Sequence, residues 1–178
     1  MLRCILAYAT FPGIIAHEFG HAWACRRLGI FVHKVCYLRL GNPMGYVLHE
    51  PAEHSFQHIM VAVAPFFVST FLALSGSLAA CWIARSQISP ELRDAATLTA
   101  LWLSFSWALH AFPSGGDADS LWKDVGNPGV TLPGKLLLIP AVGVIRMVQV
   151  GSRFWLDILF ALAVVAMPPT MLLVFTPQ

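Results

Sequence analysis

Long apolar runs separated by short polar clusters occupy most of this chain, and their lengths predict helices that cross a membrane. From Leu2 to Cys25 the formally charged residues are Arg3 and Glu18. About 20 apolar residues cross a hydrocarbon core, so this stretch reads as a first span, interrupted at Pro12-Gly13 and ending near Arg26-Arg27 with Gly29 as its stop. His58 to Ala84 carries no formal charge and is a second span, and Ala95 to Pro113 is a third. Phe154 to Phe175 is a fourth, with Asp157 near its start and Pro168-Pro169 within it. Leu136 to Ile145 is shorter and interrupted by Pro140. It is either a helix lying in the interface or a fifth crossing that snorkels Arg146 and Arg153.

Between the first two spans the pattern changes. Val35 to Leu40 is short, β-rich and partly alternating; Gly41 to Gly45 is dense in turn residues; Tyr46-Val47-Leu48 resumes the strand-like run. A hairpin at the membrane surface is predicted. The expected fold is an α-helical integral membrane protein of four spans plus a surface helix, five spans being the alternative. It forms a single domain over 1–178, with a core at 8–125 and C-terminal helices at 134–177.

Composition agrees. The chain is 57% hydrophobic and 11% charged, against about 45–50% and 25% for soluble domains. A net charge of +2 argues against nucleic acid as a partner. Cys4, Cys25, Cys36 and Cys81 show no C-x-x-C pairing and read as inert thiols. The first apolar run is too long for a secretory leader and carries histidines, so a multi-pass location is expected.

The chemistry lies in His17-Glu18-Phe19-Gly20-His21. On a helix, residues four apart share one face, so His17 and His21 can take one zinc ion at about 2.0–2.1 Å. Glu18 lies beside them, placed to touch a water on that metal: the H-E-x-x-H pattern of two ligands and a general base. Ionisable groups inside a span are costly unless paired, metal-bound or wet, which sets this cluster apart from a surface coincidence. His54 and His58 repeat the spacing, but no acidic or cysteine partner completes them, and they read as solvated interfacial histidines.

Three successive spans run up, down and up, so the histidine pair and the Asp117/Asp119 loop after the third span fall toward the same face. Arg26, Arg27, Lys34, Arg39, Lys123 and Lys135 lie on that side, against Arg3, Arg85 and Arg93 on the other. The positive-inside rule makes the shared face cytoplasmic, which suits a prokaryotic inner membrane. Asp157 competes as third ligand, with a capping or interfacial role as its other reading.

The HEFGH in an apolar first span, the hairpin, the Ala64-Pro65 turn and a later Pro/Gly/Asp motif together resemble the site-2 protease family of intramembrane zinc metalloproteases, over roughly residues 8 to 125. The resemblance implies an endopeptidase that cleaves a membrane-anchored protein substrate, with His17 and His21 as zinc ligands and Glu18 as catalytic base. The family's second motif, N-x-x-P-x-x-x-x-D-G, is matched at Pro113. His110 stands in the place of its Asn, a residue that positions substrate or oxyanion, and is a candidate catalytic group. Ligation and plain packing are the other readings of His110. Asp117 falls one residue early and Asp119 one late; Asp117 is the expected third ligand because Gly115-Gly116 frees the backbone to aim it inward. A non-catalytic metal-binding protein or metal transporter is the competing function, though the second and third spans offer few polar residues for a path.

Overall fold

The computed structural model describes residues 2–175. Its elements are α1 (Leu2–Ala9), α2 (Phe11–Arg27), β1 (Val32–Cys36), β2 (Tyr46–His49), α3 (Ser55–Ala84), α4 (Pro90–Leu109), α5 (Gly115–Val125), α6 (Leu132–Arg153) and α7 (Leu156–Phe175). The expected C-terminal region, 134–177, corresponds to α6 and α7; positions 176 and 177 lie outside the described residues. α3 is the centre, packed against α2, α4 and α7, while α5 and α6 pack on each other and on its N-terminal half. α3 and α6 are each long and apolar enough to cross a membrane, and α7 contributes a shorter apolar stretch. At about 1.5 Å per residue, the 30 residues of α3 exceed the thickness of a hydrocarbon core.

The first apolar run is not one helix. It breaks at Thr10 into α1 and α2, because a proline at position 12 cannot donate to the carbonyl of Tyr8 and its ring crowds that group. Within the first turn of α2 the same missing N–H is harmless. α1 therefore turns aside, and Arg3 bonds Asp157 at 3.1 Å, bonds the Ser152 carbonyl and lies over the Trp155 ring. Arg3 thus sits at the α6–α7 corner rather than at a free end.

α2 and α3 cross at closest approach where Gly20 meets Pro65: a Cβ on Gly20 would lie 2.7 Å from the Pro65 Cα. The neighbour there is backbone, which cannot swing away. Gly20→Ala should destabilise the fold by about 1–3 kcal/mol, read as a lowered melting temperature in detergent.

β1 and β2 pair antiparallel, with Val35 opposite Val47 and Cys36 opposite Tyr46, so the hairpin is present and Tyr37 lies beyond its first strand. The ten-residue apolar stretch at 136–145 is part of a longer helix that continues through Pro140. Leu138, Val142 and Ile145, at helical spacing, are buried against Ala62, Ala118 and Leu121. All four cysteines are free thiols.

Candidate metal centre

His17, Glu18 and His21 are buried on α2, and Asp117 on α5 closes a group whose ligand atoms all lie within 4.8 Å of one another. The two Nε2 atoms are 3.2 Å apart, and Asp117 Oδ1 is 3.3 Å from His21 Nε2. Two ligands at zinc–nitrogen distance, held at a tetrahedral angle, are separated by about 3.3 Å. The spacing fits.

Hydrogen bonding fixes which atoms face each other. His17 Nδ1 donates to the carbonyl of His110 at 2.8 Å, and His21 Nδ1 donates to the carbonyl of Val61 at 2.9 Å. A carbonyl only accepts, so each neutral ring carries its proton on Nδ1 and presents a bare Nε2. Two bare nitrogens and a carboxylate at this range repel one another unless a metal ion, or a proton on one ring, lies between them. Backbone carbonyls holding the far nitrogen of each ring are also the usual outer support of a metal-bound histidine.

Two prolines make those carbonyls free. Inside α3 the Val61 carbonyl would normally accept from the N–H of residue 65, but Pro65 has none. At the end of α4 the His110 carbonyl is among the last of the helix and lacks an intrahelical partner, and Pro113 cannot supply an N–H one turn on. Each orphaned acceptor is taken up by a histidine of α2.

Asp117 reaches the group as the third residue of α5. Ser114 caps that helix: its hydroxyl accepts from Asp117 N, while Asp117 Oδ2 accepts from Ser114 N at 2.6 Å. This reciprocal box aims the carboxylate. The expected Gly-rich loop is thus a helix start, and Gly115 and Gly116 adopt no positive φ, so capping rather than glycine freedom orients Asp117. Gln149 Nε2 donates to the Ser114 carbonyl at 2.7 Å and ties the cap to α6. Asp119 points elsewhere and pairs with Arg146. Asp157 pairs with Arg3 and accepts from Ile158 N, outside the group.

Compared with protein-family models, curated proteins and solved structures, this chain matches none. Its site must be read from its own atoms.

Glu18 lies beside the trio without a hydrogen bond among the described residues. The backbone of Gly45, at the end of the hairpin loop, packs on it: a Cβ there would lie 2.6 Å from Glu18 Cγ. The cavity of about 260 Å³ at the trio is walled by β2 and reaches His49 and His58. A second, of about 420 Å³, runs from Glu18 past Leu109 and Phe112 to Ser152 and Asp157.

The His110 ring does not join the trio. Thr10 Oγ1 donates to the Leu6 carbonyl at 2.7 Å, which leaves His110 Nε2 as donor to that hydroxyl at 2.9 Å. With Nε2 engaged there, the His110 ring is not among the ligand atoms of the trio; His110 holds His17 through its carbonyl, and the residue also lines the cavity beside Glu18. His58 is also corrected. It is neither paired with His54 nor solvated: its ring lies between Asp124 and Ser120 of α5, with 12% of the side chain exposed. Nothing local in the sequence signals a partner 66 residues away.

Proposed function

We propose that the protein is an intramembrane zinc metalloendopeptidase acting on a membrane-anchored protein. The observation that carries this reading is the pair of bare Nε2 atoms 3.2 Å apart, each locked by a backbone carbonyl, beside Asp117 and Glu18. His17, His21 and Asp117 would hold the ion and leave one position open. A zinc ion bound there supplies Lewis acidity, polarising a substrate carbonyl and acidifying water. Glu18, the base, accepts the water's proton through its carboxylate and returns it to the leaving amine nitrogen. α2, α3, α5 and β2 wall the cavity in which that transfer would take place.

α2, α3, α4 and α7 form the crossing bundle in this reading, with the trio toward the cytoplasmic face. α6 takes the interfacial role: Gly134 lies against Ser55 at the start of α3, and Gln149 reaches Ser114. Both stretches of α6 thus belong to the half of the bundle that holds the site.

A helical substrate hides its carbonyls in its own hydrogen bonds, so it must be drawn out locally. β2 walls the cavity and has β1 on one edge only, which leaves the other edge to receive an added strand. Val47→Pro should cut cleavage of a helical substrate at least tenfold while the melting temperature holds; unchanged cleavage would remove the strand-addition step.

The deciding measurement is metal content and cleavage on one preparation. One zinc per chain, with zinc and reporter cleavage both lost in His17→Ala, supports the enzyme. Zinc without cleavage of any membrane-anchored reporter would favour a metal-binding or transport role, and no zinc in folded protein would end both.

A further inference from the structure

We propose that Ser120, His58 and Asp124 form a second catalytic group, one that hydrolyses carboxylic esters without a metal. Its atoms are distinct from the trio, although His58 and Ser120 also line the cavity at the trio, and the inference does not rest on the protease reading.

The hydrogen-bond directions follow from donor chemistry. Asp124 Oδ2 accepts from His58 Nδ1 at 2.6 Å, which puts the proton of the neutral ring on Nδ1. Nε2 is then bare, and the Ser120 hydroxyl 2.9 Å away is the donor. A hydroxyl donating to an imidazole that is itself held by a carboxylate is the resting arrangement of nucleophile, base and orienting group. Ser120 and Asp124 are four residues apart on α5 and so present one face to the ring on α3. The exposure pattern suits the roles, since Ser120 is exposed while His58 is nearly covered.

A cavity of about 320 Å³ opens at this group. Val47, Leu48 and Ala52 give it an apolar wall for an acyl chain, and Lys123, on the same face of α5, lines it beside Ser120. Lys123 is the cationic side chain that lines this cavity, and in this proposal it offsets the charge of a developing oxyanion. One flexible cation stabilises that oxyanion less than a fixed pair of backbone donors does. The substrate class is therefore an ester, whose alcohol leaves readily, rather than an amide.

The step balances. Ser120 Oγ bonds to the acyl carbon as its proton passes to His58 Nε2. The ester C–O bond breaks, and the alcohol leaves with that proton. Water then attacks the acyl-serine, gives its proton to Nε2 and releases the acid, and Nε2 returns the proton to Ser120. Ester and water become acid and alcohol, with no further reactant.

The test is phosphonylation of the full-length protein in detergent by a fluorophosphonate, followed by peptide mass mapping. Ser120 should be modified at least about a hundredfold faster than the exposed Ser89 and Ser114, a gap within the usual reach of base catalysis. His58→Gln and Asp124→Asn should each slow it more than tenfold, and p-nitrophenyl butyrate hydrolysis should vanish in Ser120→Ala. Equal labelling of the three serines would overturn the proposal, as would a Ser120 rate unchanged in both variants; the three residues would then be only a tie between α3 and α5. The serine comparison uses wild-type protein, so it stands even if a variant fails to fold.

Discussion

Under the proposed mechanism, Glu18→Gln should lower peptide-bond cleavage by about 10²–10⁴-fold while zinc content and fold are unchanged. The amide fills the volume of the carboxylate and preserves the packing against Gly45, but it cannot take a proton. None of the ligand-set atoms belongs to Glu18, so metal content should not change. The comparison is run on one purified preparation, with zinc by elemental analysis and cleavage by appearance of the product band. Full cleavage by the variant would show that the proton goes elsewhere. Zinc lost along with activity would make Glu18 a ligand and void its assignment as base.

The second large effect separates two neighbouring carboxylates. Asp117→Ala should lose the metal, and Asp119→Ala should keep it. Asp117 Oδ1 stands 3.3 Å from His21 Nε2, whereas Asp119 is exposed and paired with Arg146. An exposed pair contributes about 0–1 kcal/mol, so Asp119→Ala should barely move the melting temperature. Removing Asp117 also opens the cap at Ser114, so Asp117→Asn serves as its companion: it keeps the N-cap acceptor and removes the charge. Zinc retained by both Asp117 variants would move the third ligand to another residue.

How much of this the sequence disclosed depends on the range of each interaction. The histidine pair with its glutamate was legible because four-residue spacing on a helix is a local fact. The long apolar helix α3 and the hairpin were legible for the same reason. Asp117 was legible as a residue, yet the reason offered for it, glycine freedom, was not the one the structure gives. Ser114 three residues ahead of Asp117 is a capping-box spacing and was the signal to weigh. The break at Thr10 was nearly legible, since Pro12 marks it to within one turn. His110 shows the limit: the sequence marks it as a site residue, but its Nε2 bond to Thr10, a hundred residues away, and its carbonyl bond to His17 were not legible. The meeting of His58 with Ser120 and Asp124, and of Gly45 with Glu18, depends on how helices and loop pack, which no local pattern encodes.

Pro65 and Pro113 bear on how such a protein could be improved. Proline within a helix costs about 3 kcal/mol relative to alanine, so Pro65 is an obvious target for anyone stabilising α3. Regularising the helix there would return the Val61 carbonyl to its own ladder and loosen the grip on His21. The conformational cost of that proline and the readiness of the proposed metal centre are therefore linked, and selection for thermal robustness alone would erode the proposed chemistry.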